Sequence, residues 1–426
     1  MKVVILGSGI SGITTAYYLA KAGYEVTVLE RNPASGLGCS YANGGQLSFS
    51  HAEPWNSKTS LWFMLRSIFL GGKSFISFPD VKNKEFLKWA LKFIMNSSNS
   101  RSKDIAEKIL KISSCSKENL AKILREEKID FHYRNDGILH FYRNRKNFIK
   151  AVKQAQFQEG LGCGVEILNA EECVKKEPTL IKLFDEQKLA GGIFFKDDAS
   201  GDPALFIKAL EWICKNRYNV NFEYNTEIKN IFTNYKKITG INTDKGVFTG
   251  NYYISTLGSY GNSLLKGIGI DLNIFPIKGY SLSIPTTELF LSPKIPLTDA
   301  ENKIVYSKLG NVFRAAGTIE ISNPTINENN QKNINFLKNT IISTYSDFGD
   351  INNAKEWSGF RPYRPDCLPI VCKAKKYGNL YINAGHGSLG WTMSFATSRI
   401  IADLINKQET TSGFYFFEEM EKEIYL

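Results

Sequence analysis

The order of apolar and polar positions in the first 30 residues predicts a strand, a helix and a second strand. Val3 to Leu6 form an apolar run, which is typical of a buried parallel strand. A helix is predicted next, because apolar residues recur at helical spacing at Ile13, Ala16, Tyr17, Leu19 and Ala20. Gly23 ends this helix, and residues 25–30 form the second strand. The N-terminal part of the chain is therefore expected to be an α/β unit.

After a loop-rich segment at 32–57, the chain is predicted to be helical over 85–130 and richer in strands afterwards. Residues 85–130 have a helical pattern, whereas 274–284, 305–321 and 380–392 alternate between apolar and polar positions as strands do. A final helix is predicted over 394–405. Because the α/β unit stands at one end and strands dominate the middle, we expect an α/β domain built from both ends of the chain, with an inserted antiparallel β-rich domain.

Composition excludes several classes of protein. The 426 residues are 43% hydrophobic and 13% aromatic, which suits two or three folded domains and excludes a disordered chain. The seven cysteines include no CxxC pair, and the four histidines include no HxxH or HExxH motif, so neither a disulfide framework nor a metal site is expected. We expect reduced thiols and a cytoplasmic protein. No membrane span is expected at 61–78, because Arg66 and Lys73 interrupt the apolar run. No signal peptide is expected at MKVVILG, because its apolar run stops after four residues in a glycine-rich turn.

The positive charge is concentrated in one segment. Residues 51–150 contain 20 Lys and Arg against 10 Asp and Glu, which gives +10 of the net +11. Two interpretations remain open, a generally lysine-rich composition or a basic face for an anionic partner. For such a face an anionic membrane surface is favoured over nucleic acid, because apolar aromatic residues lie beside the charge in 59–95. No nucleic-acid partner is expected.

The clearest motif is a glycine-rich turn between the first strand and the first helix. Gly7, Gly9 and Gly12 have the spacing G-x-G-x-x-G, which allows a tight turn, a close approach to a pyrophosphate and close packing of helix on strand. The helix N-terminus then offers free N–H groups to the phosphates. Glu30 closes the second strand, where a carboxylate binds both hydroxyls of an adenosine ribose and disfavours NADP. The motif predicts a dinucleotide but leaves FAD and NAD open. Three further residues are assigned to this site: Val3, Ile10 and Arg31.

Six ordered segments carry a resemblance to a known family. They are VVILGSGISGITTAYYLAKAGYEVTVLER, SYANGGQLS, PIKGYSLSI, FRAAGTIEI, EWSGFRPYRPDCLPIV and NLYINAGHGSLGWTMSFATSRIIADLI. The chain resembles the D-amino acid dehydrogenases (small-subunit type) of the FAD-dependent D-amino acid oxidase/glycine oxidase superfamily. The resemblance implies non-covalent FAD and oxidative deamination of a D-amino acid, with D-alanine favoured, to a 2-oxo acid and ammonia. It also implies electron transfer to a quinone or respiratory-chain acceptor, and a peripheral position on the inner face of the cytoplasmic membrane.

The resemblance implies a function for each expected domain. The fold class is α/β, with a Rossmann-like FAD-binding domain and an inserted antiparallel β-rich substrate domain. The expected bounds are 1–84, 188–270 and 356–410 for the FAD-binding domain, 85–187 and 271–355 for the substrate domain, and 411–426 for a C-terminal extension.

Two arginines stand in the stiff segment GFRPYRPDCLPIV. A planar guanidinium binds a carboxylate through two charge-assisted hydrogen bonds, and the resemblance assigns this contact with the substrate to Arg361. The role of Arg364 stays open. It either forms an ion pair with Asp366 or contacts an acidic side chain or the substrate. Because the Cα hydride passes to the flavin, no strong protein base is needed.

Further residues are assigned by resemblance to the surroundings of the flavin. Tyr280 and Lys278 are expected either to face the flavin or substrate amine, or to point elsewhere from a strand. His386 is either close to the flavin or a plain loop histidine. Backbone contacts to the cofactor are expected from two loops and the start of the last helix, namely from Asn43, Gly44, Gly258, Gly385, Gly387, Gly390 and Trp391.

The sequence departs from the family pattern at two glycine positions. Cys367 and Cys372 stand where the family usually has glycine. If glycine serves a positive φ there, a cysteine adds strain and alters FAD affinity or loop geometry. Alternatives to the dehydrogenase are a glycine/sarcosine-type oxidase that uses oxygen, a degenerate non-catalytic flavoprotein, and an FAD-containing RNA-binding protein that uses the basic segment.

Overall fold

The computed structural model describes residues 1–50, 76–77, 83–286, 292–321, 329–346 and 348–406. The C-terminal extension expected at 411–426, and residues 59–75 and 78–82 of the expected membrane segment, lie outside the described residues. No helix in the described part of the chain is long and apolar enough to span a bilayer.

The secondary structure is as follows. The strands are β1 (Lys2–Leu6), β2 (Glu25–Leu29), β3 (Gln46–Leu47), β4 (Ile76–Ser77), β5 (Ile138–Tyr142), β6 (Val165–Leu168), β7 (Gly191–Phe195), β8 (Ala199–Ser200), β9 (Asn221–Glu223), β10 (Ile228–Asn234), β11 (Lys237–Thr243), β12 (Gly246–Phe248), β13 (Tyr252–Ser255), β14 (Phe275–Pro285), β15 (Leu297–Asp299), β16 (Ile304–Leu309), β17 (Val312–Glu320), β18 (Lys355–Tyr363), β19 (Ile370–Lys373) and β20 (Leu380–Ala384). The helices are α1 (Ile10–Lys21), α2 (Lys84–Met95), α3 (Asn99–Glu127), α4 (Arg145–Gly160), α5 (Ala170–Lys176), α6 (Ile181–Asp185), α7 (Pro203–Tyr218), α8 (Gly261–Lys266), α9 (Gln331–Thr344) and α10 (Gly390–Asn406).

A six-stranded sheet forms the first domain, with the strand order β19-β20-β13-β1-β2-β9. Strand β1 pairs in parallel with β2 and with β13, and only β19 runs antiparallel to its neighbour. The buried positions of β1 and α1 follow from their apolar sequence, since α1 is buried from Ile10 to Ala20 and packs into one hydrophobic core with α3, α7 and α10. The expected Rossmann-like domain is confirmed.

A nine-stranded sheet forms the second domain. Its strands follow the order β18-β14-β17-β16-β15-β5-β7-β6, with β4 paired to β17, and most neighbours are antiparallel. One face of this sheet packs on α9 through a second hydrophobic core. The other face lies toward the first domain and forms the wall of the site described below. The expected antiparallel β-rich domain is confirmed.

Four elements lie outside the domains that the sequence assigned to them. Strand β4 falls within the bounds 1–84, but it pairs with β17 of the nine-stranded sheet. Strands β7 and β18 fall within the bounds 188–270 and 356–410, but they are hydrogen-bonded into the nine-stranded sheet. Helix α3 falls within 85–187, but its apolar side packs on α1 and α10 of the first domain. The reason is that pairing and packing partners are set by the tertiary fold rather than by neighbours in the chain.

The segment 305–321 is a hairpin rather than one strand. Strands β16 and β17 pair with each other in antiparallel register. The turn between them contains Gly310 with φ of +60°, a conformation that glycine adopts without strain. The strand prediction was therefore correct for each half of the segment, but it missed the turn at Gly310.

Candidate active site

A cavity of about 510 Å³ opens at the carboxyl ends of the parallel strands of the first domain. Gly7 follows β1, Glu30 follows β2 and Thr256 follows β13, and all three line the cavity. This edge is where open α/β sheets bind their ligands. Helix α1 begins at Ile10, and its first residues line the cavity, so the positive end of the helix dipole faces the space where an anion would lie. The backbone N of Ile10 donates a hydrogen bond to Oγ of Ser40 at 3.2 Å.

The glycines of the turn fit a bound dinucleotide. A Cβ atom on Gly12 would lie 2.0 Å from the carbonyl oxygen of Gly7, so only glycine allows α1 to pack this closely. Gly7 has φ of +94°. Gly12 therefore packs helix against turn, as predicted, while Gly7, Gly9 and Ile10 line the cavity. Val3 is buried within β1 and does not line it.

Glu30 is fixed at the edge of the same cavity. Its Oε2 accepts hydrogen bonds from the backbone N and Oγ of Ser8 at 2.9 and 2.8 Å. Its Oε1 accepts from the backbone N and Nδ2 of Asn32 at 2.9 and 2.7 Å. This network holds the carboxylate where a ribose is expected. Arg31 borders the cavity with its guanidinium 3.8 Å from the ring centroid of Tyr260.

The loop before α10 and the start of that helix form the opposite wall. His386, Gly387, Gly390 and Trp391 line the cavity here, and Gly258 lines it from the end of the first sheet. The Nε1 of Trp391 is buried without a hydrogen-bond partner in the described structure. Gly385 does not line the cavity. It has φ of +84°, and a Cβ there would lie 2.9 Å from Cδ of Arg364.

A second cavity, of about 270 Å³, lies between the nine-stranded sheet and the loop that leads into β3. Asn43, Arg361 and Trp391 line both cavities, so the two spaces meet at these side chains. Gly44 lines only the second one, where a Cβ atom would lie 2.2 Å from Cγ2 of Val305. The junction is where a molecule in the second cavity would meet a group bound in the first.

Arg361 on β18 lies at this junction. Its Nη1 donates a hydrogen bond to the carbonyl oxygen of Thr318 at 3.0 Å. The guanidinium covers Gly279, because a Cβ on that glycine would lie 2.3 Å from Cζ. Thr318 has φ of +59°, which is strained for a β-branched residue and belongs to an irregularity in β17. One N–H of the guanidinium is therefore held by the protein, and the side chain borders both cavities.

Arg364 forms a structural ion pair. It is 5% exposed, and its Nε donates to Oδ1 of Asp366 at 3.0 Å while its Nη1 donates to the carbonyl of Leu272 at 2.9 Å. It lines neither cavity. Of the alternatives left open by the sequence, the structure shows the ion pair with Asp366.

The interpretation of Lys278 and Tyr280 as residues that face the flavin or the substrate needs correction. Successive side chains of a strand point to opposite faces, and Gly279 lies on the face of Arg361. Tyr280 and Lys278 therefore belong to the opposite face. The Tyr280 hydroxyl donates to Oε2 of Glu320 at 3.0 Å, and burial raises the pKa of this phenol. Although Tyr280 borders the second cavity, its polar atom belongs to the core beneath the sheet, and Lys278 is 1% exposed and lines neither cavity.

His386 lines the first cavity as a neutral side chain. Its Nε2 lies 3.0 Å from Oγ1 of Thr397. Burial lowers the pKa of His386 to about 4, because the charged imidazolium would be desolvated. At neutral pH this histidine offers hydrogen bonding rather than positive charge to the cavity.

Cys367 and Cys372, which the resemblance assigns to glycine positions of the family, differ in their backbone. Cys367 has φ of +60°, which confirms that its position requires a left-handed backbone and that cysteine is strained there. Cys372 lies in β19 paired with Ile382, and it is buried. An effect of the two cysteines on FAD affinity stays a prediction.

The sequence analysis missed several residues that line the second cavity. Trp357 precedes Arg361 by four positions on β18, so the period of two places both side chains on one face and would have identified it. Its indole covers Gly359, where a Cβ would lie 2.3 Å from the ring. His140 and Lys303 line the cavity from β5 and from the turn before β16, and no sequence pattern indicated either. Among the residues that the structure describes, no group of His, Cys, Asp and Glu is arranged to hold a metal ion.

Comparison with known proteins agrees with this geometry. The chain matches the family described as "FAD dependent oxidoreductase" over residues 2–404. It is 35% identical to a D-amino acid dehydrogenase of Allorhizobium ampelinum over 96% of each chain, and 36% identical to a D-amino acid dehydrogenase of Paramagnetospirillum magneticum over 95% of each chain. Glycine oxidase from Geobacillus kaustophilus has the same fold, with a TM-score of 0.73, 21% identity and 97% of each chain covered. L-proline dehydrogenase from P. horikoshii also has a TM-score of 0.73, at 17% identity, over 99% of this chain and 98% of that one.

Proposed function

The chain belongs to the FAD-dependent oxidoreductase family, and we propose that it deaminates D-amino acids oxidatively to 2-oxo acids and ammonia. Its cofactor is FAD, which accepts two electrons from the substrate when bound. The similar proteins named D-amino acid dehydrogenase support a D-amino acid as substrate, with D-alanine among those accepted. The observation that carries the proposal is the position of Arg361 at the junction of the two cavities.

Arg361 binds the substrate carboxylate in this proposal. The N–H that it donates to Thr318 fixes the plane of the guanidinium, and the remaining N–H groups bind the carboxylate. Gly279 beneath the guanidinium leaves space for this orientation. The substrate Cα is thereby held at the junction, on the side where the first cavity receives the flavin. Positioning of this kind lowers the entropic part of the reaction barrier.

The chemistry needs little more from the protein. The Cα hydrogen would leave with both electrons of the Cα–H bond, which FAD accepts when bound, while the lone pair of the neutral amine forms the C=N bond of an imino acid. One proton goes to solvent, and water then converts the imino acid to the 2-oxo acid and ammonia. Neutral His386 in the cavity wall is consistent with a reaction that uses no strong protein base. A quinone or respiratory-chain acceptor would then take up the two electrons.

A surface on helix α2 supports a peripheral membrane location on the cytoplasmic side. Leu87, Leu91 and Ile94 are 50%, 65% and 47% exposed and follow one another at helical spacing. Lys84 and Lys88 accompany this apolar stripe, which is the pattern of a helix that lies on an anionic bilayer. Flotation with liposomes tests this, and we expect binding to vesicles with anionic lipid that Leu91→Asp weakens. Equal recovery with and without anionic lipid would contradict it.

An anaerobic absorbance titration tests the proposed reaction. The purified protein should show flavin bands that bleach on addition of D-alanine and not of L-alanine, with the acceptor withheld. Bands that no D-amino acid bleaches would overturn the proposal and favour a non-catalytic flavoprotein. Reoxidation should be fast with a soluble quinone and slow with oxygen. Rapid formation of hydrogen peroxide would instead indicate an oxidase of the glycine or sarcosine type.

A further inference from the structure

The second cavity has an unbalanced charge. Among its lining residues in the described structure, Arg361 and Lys303 are cationic, His140 is titratable, and none is Asp or Glu. One substrate carboxylate at Arg361 leaves the charge of Lys303 without a counterpart. We propose that the preferred substrates are D-amino acids with a carboxylate in the side chain, D-glutamate or D-aspartate, and that Lys303 binds this second carboxylate. The inference rests on the proposed function and specifies its substrate class.

Lys303 is placed by a strained turn. It has φ of +55° in the turn between β15 and β16, and its side chain is exposed at the mouth of the cavity. Its carbonyl lies close to Gly317 of β17, since a Cβ there would be 2.8 Å away. This contact fixes the backbone of the turn against the wall of the cavity.

The nearby carboxylates do not supply the missing charge. Asp299 is buried and accepts hydrogen bonds from Nε and Nη2 of Arg143 at 2.9 and 2.7 Å. Glu301 accepts from the backbone N of Arg143 at 2.9 Å and from Nδ2 of Asn147 at 3.2 Å. Lys303 itself makes no side-chain hydrogen bond or ion pair with another described residue. An exposed lysine at the mouth of a cavity whose described lining holds no Asp or Glu can pair with an anionic group of a bound ligand, with the modest gain of a solvent-exposed ion pair.

The sheet sets the distance between the two cations. Arg361 lies on β18 and Lys303 immediately before β16, and β14 and β17 lie between these strands. At about 4.8 Å per strand, the two backbones are about 14 Å apart, so two long side chains that reach inward leave a gap the size of a short dicarboxylate. The wall between them consists of small and apolar groups, including Ala316, Val305 and Trp357, which suit the methylene groups of such a substrate.

Polar groups accompany Lys303 on the same side. His140 of β5 and Thr298 of β15 are cross-strand partners, and both line the cavity. The Thr298 hydroxyl donates to Oε1 of Gln46 at 3.1 Å, and the Nε2 of Gln46 donates to the carbonyl of Leu297 at 2.9 Å. The end of the cavity away from Arg361 is therefore polar and basic, which is an unfavourable environment for an aliphatic or cationic substrate side chain.

The test compares each acidic substrate with its neutral amide. For the FAD-loaded wild type, we expect kcat/KM to be up to about fivefold higher for D-glutamate than for D-glutamine, or for D-aspartate than for D-asparagine, since an ion pair with an exposed lysine contributes up to about 1 kcal/mol. The preference should decrease as salt increases. If D-alanine bleaches the flavin but neither acid exceeds its amide, this inference is wrong while the proposed function stands. If no D-amino acid bleaches the flavin, both are wrong.

A variant then assigns the preference to Lys303. Lys303→Met should bring the ratio of kcat/KM for the acid and its amide close to one in protein that retains its flavin spectrum. Lys237→Met is the matched control, because it removes the same charge from an exposed position at the start of β11, away from both cavities. It should leave the ratio unchanged. An unchanged ratio in Lys303→Met would exclude the second carboxylate site at this residue.

Discussion

Removal of each of the two arginines in GFRPYRPDCLPIV should have opposite consequences. Arg361→Ala removes at least two charge-assisted hydrogen bonds to the substrate carboxylate in the proposed complex, each contributing about 1.5–3 kcal/mol. The loss of about 3 kcal/mol or more corresponds to a decrease in kcat/KM on the order of a hundredfold or more. The fold should change little, because the protein loses mainly one hydrogen bond, the one to the Thr318 carbonyl.

Arg364→Ala is the matched comparison, because it deletes the same side chain three positions further along. Arg364 is 5% exposed, so its removal leaves the largely buried carboxylate of Asp366 without its cation and the Leu272 carbonyl without its donor. Breaking a buried ion pair in this way costs roughly 3–5 kcal/mol of unfolding free energy. The midpoint of thermal unfolding should therefore fall by several degrees, while the protein that remains folded keeps its kcat/KM.

Three measurements on both variants test whether Arg361 binds substrate and Arg364 stabilises the fold. They are the flavin spectrum, the midpoint of thermal unfolding, and kcat/KM with D-alanine and an artificial acceptor. Arg361→Lys adds a further control, since it restores the charge but not the planar fork and should recover only part of the activity. The reasoning is refuted if Arg361→Ala retains wild-type kcat/KM, or if Arg364→Ala loses activity without losing stability.

Three other substitutions test separate parts of the structure. Gly12→Ala should purify without flavin, because the added Cβ would lie 2.0 Å from the Gly7 carbonyl, and retained flavin bands would contradict the packing. Tyr280→Phe should keep kcat/KM and lower the unfolding free energy by about 1 kcal/mol, because the hydrogen bond to Glu320 is lost. A large loss of activity would instead show that the hydroxyl contacts the substrate or the cofactor. Burial raises the pKa of Asp198 from 3.8 to about 7. The folded protein therefore holds a proton that the unfolded chain releases, and stability should decrease as pH rises through this window. Denaturant unfolding as a function of pH should show this slope in the wild type and not in Asp198→Asn.

The glycine-rich turn and its flanking elements could be predicted because their determinants are local. Strand, turn, helix and acidic residue lie within 30 consecutive residues, and each follows from spacing alone. The left-handed backbone at position 367 was also foreseeable, because cysteine stands there in place of a family glycine. These features needed no knowledge of the residues that pack against them.

The second cavity depended on contacts between distant parts of the chain. Arg361 lies against Gly279 and the Thr318 carbonyl, and Lys303 lines the same cavity from the turn before β16, so the pairing of the strands decided which side chains line it. Register also placed Tyr280 on the opposite face. A local pattern specifies that a strand exists and that its side chains alternate. Only the partner strands determine which of its two faces borders the cavity, because each face becomes a core or a site according to what the fold packs against it.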